Sequence, residues 1–224
     1  MIKIQNISKT YTSKAQKINA LQNVSFFIEK GEFVGLMGAS GSGKTTLFKV
    51  IAGLENIDEG EIYIDNQAIH CLSEKQKTLF RLNSIGFIFQ QHNLMPVLSA
   101  WENVALLLEL KGIKRKIAKN ISLEYLEKVN LLDCAFRKPE QLSGGQQQRV
   151  AIARALAGKP VLVLADEATA NLDADNTENL LEMLVKLNQE EKTTFIFATH
   201  DDRVKQKVKR IILLKNGILD EKND

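Results

Sequence analysis

The chain has 224 residues, 44% of them hydrophobic and 25% charged, with a formal net charge of +3. This length suits one α/β domain with a subdomain and is short for two independent folds. The charge is too small to argue for a nucleic-acid partner, and no run approaches the roughly 18 apolar residues of a membrane span, so a protein of this kind that serves a membrane docks on it. Lys3, Gln5, Asn6, Ser8 and Lys9 interrupt any apolar core of a secretory signal at the start. Cys71 and Cys134 stand in no metal-ligand or redox spacing and read as reduced thiols of a cytoplasmic protein.

Residues 1–30 alternate apolar and polar in short pieces, Ile2 to Ile7 and then Leu21 to Ile28, with Lys30-Gly31 as a turn. This pattern predicts an antiparallel β layer, to which Gly60 to Asp65 adds another strand. Glu32 to Met37 reads as a strand entering Gly38-Ala39-Ser40-Gly41-Ser42-Gly43-Lys44-Thr45, with Thr46 next. Thr45 to Ala52 reads as a helix closed by Gly53. Each residue type here has a task. Gly38, Gly41 and Gly43 are expected to adopt positive φ and let backbone N–H groups face an anion. Lys44 sets a compact charge against terminal phosphates, Thr45 offers a hydroxyl to Mg²⁺, and the helix dipole points the same way. A nucleotide-binding loop follows from these residues.

Further along, Ser84 to Gln90 reads as a core strand, and the core resumes at Val161. Between them, from about Asn93 to Glu140, the pattern is helical, with Pro96 and Pro139 near its ends and Leu123, Leu126, Val129 and Leu132 at helix spacing. The lysine-rich stretches Lys111 to Lys119 and Lys205 to Arg210 read as solvated helix faces. Leu142-Ser143-Gly144-Gly145-Gln146 opens a helix that runs to Ala157, with Gly158 and Pro160 as its stop. Ser143 and Gln146 make a capping box, but the two glycines between them cost helix stability and make sense if an anion must approach the backbone. Val161 to Ala165 is an apolar strand followed at once by Asp166-Glu167, where parallel sheets carry ligands. Glu167 is the candidate general base, polarising a water in line with the γ-phosphate. Leu180 to Lys192 reads as an amphipathic helix, and Phe195 to Thr199 as a strand ending at His200.

With the phosphate loop, the pentapeptide Leu142 to Gln146 and their order, the chain resembles the ATP-binding subunit of an ATP-binding cassette (ABC) transporter over nearly its whole length. The resemblance implies a RecA-like P-loop core, residues 1–90 and 141–224, with an N-terminal antiparallel β layer and a helical insertion at about 91–140. It also implies two copies paired head to tail around two ATP molecules, each held between one copy's loop and the other's Ser143, Gly144, Gly145 and Gln146. On the family pattern Asp166 holds Mg²⁺ through water, Gln90 contacts Mg²⁺ and senses the γ-phosphate, His200 touches the γ-phosphate, and Asp173 reaches across the dimer. Tyr11, 27 residues before Gly38, matches the aromatic residue that stacks on adenine, although a lone tyrosine in a β layer reads equally well as packing. Ala168 stands where the family commonly has proline, and Ala170 is the small residue before Asn171-Leu172-Asp173, which bears on the stiffness of the loop after Glu167.

Gln146-Gln147-Gln148, Leu164-Ala165-Asp166-Glu167 and the stretch Ile85 to Leu94 running on to Val104 are similar to the lipoprotein-releasing and macrolide-exporter group. Polar amino-acid importers and cell-division regulators of the FtsE type are the alternatives. The partners implied are a second copy and an integral membrane permease, with the chain attached at the cytoplasmic face. Leu94, Met95, Val97, Leu98 and Trp101 are expected partly to pack internally and partly to line a groove for that permease.

Overall fold

The computed structural model describes residues 1–12, 17–170, 173–200 and 202–220. In chain order the first elements are β1 (Ile2–Thr12), β2 (Lys17–Ile28), β3 (Phe33–Met37), α1 (Lys44–Ile51), β4 (Glu59–Ile64), β5 (Gln67–Ala68), α2 (Glu74–Ser84) and β6 (Ile85–Ile88). Then come α3 (Ala100–Leu110), α4 (Arg115–Lys128), α5 (Gly144–Ala157), β7 (Leu162–Asp166), α6 (Ala174–Glu191), β8 (Thr194–Thr199), β9 (Arg210–Lys215) and β10 (Ile218–Leu219). They form a four-stranded antiparallel sheet, β2-β1-β4-β5, and a six-stranded sheet, β10-β9-β3-β8-β7-β6, parallel except at β10.

The central sheet is apolar on both faces, and the two-residue period of a strand sorts its side chains between two cores. Val34 and Leu36, Leu162 and Leu164, and Ile196 and Ala198 join α1 and the antiparallel sheet in one core. Their neighbours Phe33, Val163, Ala165, Phe195 and Phe197 join α3 to α6 in the other. Phe33 and Phe195 lie 5.3 Å apart between ring centroids, so aromatic packing anchors the second face. Helices α3, α4 and α5 pack on one another over that face.

Four expectations change. Helix α4 stops at Lys128 because Asn130 takes φ +57, so Leu126 and Val129 are buried while Leu132 falls in a 3₁₀ turn and is 44% exposed. The left-handed residue after α5 is Lys159 at φ +48, not Gly158 at φ −76. Gly158 instead leaves room for a side chain from elsewhere: a Cβ there would meet Lys111 Nζ at 2.8 Å, and the flexible end of that lysine would have to move. That ammonium donates to the carbonyls of Gly158 (2.8 Å) and Asn83 (3.3 Å), so Lys111 is half-buried and bolts the end of α3 to the ends of α5 and α2 rather than lying on a solvated face. Burial holds it below the usual lysine range. The Lys205–Arg210 stretch is likewise no helix face, since a 3₁₀ turn (Asp202–Gln206) gives way to β9 and Lys207 pairs with Glu178 and Glu182.

Candidate nucleotide site

Between β3 and α1 the backbone takes φ +78 at Gly41 and φ +107 at Gly43. Gly38 serves differently from the expectation. Its φ is ordinary, but a Cβ would stand 2.2 Å from Leu214 O and 2.5 Å from Ser42 Oγ, so only glycine fits. Gly43 caps α1 without any side-chain hydrogen bond, which leaves the first-turn N–H groups facing the cleft for a ligand. Lys44 is 6% exposed and donates to the carbonyls of Gly38 (2.7 Å) and Ala39 (3.0 Å), which holds its ammonium in the loop.

A cleft of about 610 Å³ opens here, lined among others by Tyr11, Ser40, Gly41, Gly43, Lys44, Thr45, Thr46, Gln90, Asp166 and Glu167. Gly38, Ala39 and Ser42 stand behind this lining, and the Ser42 hydroxyl is buried against Gly38. Strand register explains the convergence. Ile88 pairs with Ala165 and Asp166 with Ala198, so β6, β7 and β8 end together and bring Gln90, Asp166, Glu167 and His200 to one edge.

Burial, reinforced by the charge of Glu167, pushes the Asp166 carboxyl above the usual range; Lys44 and a hydrogen bond from Thr45 oppose the shift. Glu167 is left-handed at φ +45, a conformation costly for a side chain this long, and its N–H donates to Ala198 O at 2.9 Å. The turn brings Glu167 Oε1 within 3.1 Å of His200 Nδ1. His200 is mostly exposed and adjoins the cleft through Glu167. Thr45, Asp166 and Gln90 supply a hydroxyl, a carboxylate and an amide oxygen. This hard-oxygen set suits Mg²⁺, which takes one or two protein oxygens and fills its shell with phosphate and water.

Sequence reasoning missed Ile18, Asn19, Ala20 and Gln22 of β2 and the turn Asn216-Gly217, all of which line the same cleft. Gln22 N–H donates to Gly217 O (2.8 Å) and Gln22 Nε2 to Asn216 O (3.1 Å), stitching two distant segments together. Asn-Gly was legible as a hairpin turn, but its partner across the fold was not.

A second cavity, of about 450 Å³, gathers Ser143, Gly144, Gly145, Gln146 and Asp173 with Asn130, Leu131, Arg149 and Asn176. Gln146 N–H donates to Ser143 Oγ (3.3 Å) and Ser143 N–H to Gln146 Oε1 (2.9 Å), completing the expected capping box. Nothing lies within 4 Å of a Cβ built on Gly144. Asp173 caps α6, accepting from Asn176 N–H and Nδ2 at 2.8 Å each, which holds its carboxyl below the usual range. Asn171 and Leu172 lie outside the described residues. Arg149 was within reach of sequence reasoning, three residues after Gln146 on the same helix face.

Helix α5 also holds the turn that follows Gln90. Arg154 donates to Asn93 O (2.6 Å) and His92 O (2.7 Å), in the left-handed turn just after Gln90. Among the candidate docking residues Trp101 is core, 8% exposed, with the Arg115 guanidinium 5.1 Å from its ring centroid, and Leu94 packs against the same core. Met95 (46%) and Val97 (70%) carry the exposure.

A phosphate loop between a parallel strand and a helix, with an acidic strand end beside it, defines a nucleoside-triphosphate-binding protein. The family model of the ABC transporter matches residues 21–170. The ABC transporter ATP-binding protein MJ0796 of Methanocaldococcus jannaschii is 47% identical over 221 residues, covering 97% of this chain and 94% of that one. The lipoprotein-releasing system ATP-binding protein LolD of Blochmanniella floridana is 42% identical over 214 residues, covering 96% and 91%. A dimeric post-hydrolysis structure of MJ0796 bound to ADP and Pi matches with a TM-score of 0.91 at 45% identity, covering 100% of this chain and 98% of that chain. This chain therefore belongs to the ABC transporter family, as one of its ATPase cassettes.

Proposed function

We propose that the chain hydrolyses Mg²⁺-ATP as one half of a head-to-tail homodimer, and that the dimer drives a membrane permease of the lipoprotein-release type. The observation that carries the catalytic part is the left-handed Glu167, turned at a strand end so that its carboxylate meets His200 at 3.1 Å beside the phosphate loop. In this reading the loop N–H groups and Lys44 hold the β- and γ-phosphates, and Tyr11 takes the adenine. Thr45, Asp166 and Gln90 hold Mg²⁺, which when bound neutralises charge on the phosphate oxygens. Glu167 accepts a proton from the water aligned with the γ-phosphate, and His200 fixes the orientation of that carboxylate.

The second cavity supports the dimer. It presents a capped helix start with open space over Gly144, a seat for the γ-phosphate of a nucleotide bound by another copy. A relative whose structure is dimeric with ADP and Pi bound supports the pairing of two copies. Relatives whose names specify lipoprotein release support the permease class. Peripheral attachment at the cytoplasmic face fits the observation that no helix among the described residues is long and apolar enough to cross a membrane. Exposed Met95 and Val97, a few residues beyond Gln90, suit contact with the permease.

The decisive experiment is Glu167→Gln. The amide cannot take a proton, so phosphate release should fall about 100- to 10,000-fold while ATP binding persists. Wild-type phosphate release from this variant would remove Glu167 from the role of base.

A further inference from the structure

Tyr11 does not face the cleft as a free ring. Its hydroxyl donates to Glu55, and the other oxygen of that carboxylate accepts from Lys49 Nζ at 2.9 Å. Lys49 lies in the last turn of α1, the helix that starts at the phosphate loop. Thr46, in the first turn of the same helix, lines the cleft together with Tyr11. The chain returns to bring Glu55 there because Gly53 takes φ +63, and the N–H groups of Leu54 and Glu55 both donate to Lys49 O. Three residues on, Asp58 grips the strand that carries the ring. Its carboxylate accepts from Thr10 N–H (2.6 Å) and Lys9 Nζ (3.0 Å). The loop after α1 thus brackets both the backbone and the hydroxyl of the aromatic residue, and ties them to the element that holds the phosphates.

We infer that Glu55 is a positioning residue for the nucleobase: it holds the Tyr11 ring at a set orientation and distance from the phosphate loop, and so contributes to the affinity for nucleotides that carry a base. The inference rests on the reading that Tyr11 stacks on adenine. Its physical content is preorganisation. A ring tethered at its far end loses less freedom when a base settles on it, and a ring referenced to α1 suits a ligand whose base and phosphates are a fixed length apart. The charge states agree with the geometry. The hydrogen bond from Tyr11, then that from Lys49, holds the Glu55 carboxyl below its usual range, so the acceptor is ionised at neutral pH. Neither Glu55 nor Lys49 lines the cleft, so neither would be picked out by contact with the ligand.

The test compares ATP with inorganic tripolyphosphate, which has the phosphates and no base, by calorimetry on the full chain. Glu55→Ala should weaken ATP about three- to tenfold, the worth of one hydrogen bond, and leave tripolyphosphate unchanged. Tyr11→Phe should match it, and Glu55→Ala added to Tyr11→Phe should cost nothing more, because no hydroxyl remains to be held. Glu55→Gln keeps an acceptor oxygen and should recover most of the affinity. Proportional weakening of both ligands would mean that Glu55 acts on the phosphate loop through Lys49, and would overturn the inference. Wild-type ATP affinity in Glu55→Ala while Tyr11→Ala is weakened would overturn it too, leaving the base seat intact. If Tyr11→Ala itself binds ATP normally, the stacking reading fails and the inference with it.

Discussion

The two helix starts at which this chain presents backbone N–H groups are built to opposite specifications. At α1 the cap is a glycine with no side-chain partner, the lysine is 6% exposed, and the helix's own Thr45 hydroxyl meets carboxylates and glutamine from two strand ends, those of β7 and β6. At α5 the cap is a serine engaged with its own Gln146, and a Cβ on Gly144 would meet nothing. The first seat gathers lysine, hydroxyl, carboxylates and glutamine within one chain. The second has shape and helix dipole but lacks a counterpart for Lys44, Asp166 or Glu167 in its lining, apart from Arg149 at its side and an Asp173 committed to capping α6. One chain therefore holds a rich face and a sparse one, and on the proposed head-to-tail pairing the sparse face of one copy would close over the nucleotide on the rich face of the other.

The largest effect should come from breaking the first seat. Lys44→Ala removes a buried charge from the phosphates and from the carbonyls of Gly38 and Ala39. ATP binding to the monomer should weaken by about 1.5–3 kcal/mol, roughly ten- to a hundredfold in Kd. Unchanged calorimetric affinity would mean that the loop backbone alone does the work.

Breaking the second seat should leave that measurement alone. Ser143→Arg sets a long cation where a partner's nucleotide would lie, yet touches nothing in the first cleft. In a Glu167→Gln background, gel filtration with ATP should show a dimer that Ser143→Arg weakens by at least about tenfold, because the long side chain fills the space a partner's phosphate would occupy and the capping hydroxyl is lost. A dimer that survives it would place the contact surface elsewhere.

This asymmetry also decides what could be read from the sequence. The phosphate loop, the serine–glycine helix start and the Asp166-Glu167 strand end are local, so each residue's neighbours in the chain are its neighbours in space. The two-core sorting of Val163 and Leu164 was implicit in strand periodicity. What escaped depends on contacts across the fold. Gly38 looked like a conformational glycine and is a steric one, because Leu214 from β9 passes over it. Gly158 marked a helix end by habit, but its carbonyl also accepts from Lys111, 47 residues earlier, which no local pattern announces. The left-handed turn at Glu167 has no signal in residue type, since nothing about a glutamate foretells positive φ. The hold of Arg154 on the carbonyls of His92 and Asn93 joins residues far apart in the chain and has no local signal.

A pair of glycine substitutions sharpens the contrast at lower cost. Gly38→Ala must move Leu214 O or the loop, and overpacking of that kind costs about 1–3 kcal/mol. Gly144→Ala meets open space and should add up to about 1 kcal/mol of helix stability. Thermal unfolding without nucleotide should therefore fall for the first and hold or rise for the second. The sign should invert for ATP-dependent dimerisation relative to stability at Gly144, where the methyl group lies in the path of the partner's phosphate. A destabilised Gly144→Ala protein would mean that the empty space is already spoken for within one chain.

The smallest effect concerns the strain stored in the first seat. Burial and the neighbouring Glu167 push the Asp166 carboxyl above its ordinary value of 3.8, so over that window the folded state binds more protons than the unfolded one. Stability of the nucleotide-free protein should then fall as pH rises from the ordinary value through the raised one, and the deficit should stay at its full extent at neutral pH. Asp166→Asn removes the charge and keeps an oxygen that can accept from Thr45, so its melting midpoint at pH 7 should lie above that of the wild type. Below pH 3.8, where the wild-type carboxyl is protonated in both states, the two midpoints should converge. Adding Mg²⁺ and ATP should reverse the order, because the wild-type carboxylate then has a cation to face and the asparagine does not. If Asp166→Asn melts lower than the wild type at pH 7 without nucleotide, the carboxylate is being stabilised by Lys44 and Thr45 more than burial opposes it, and the seat stores no such strain.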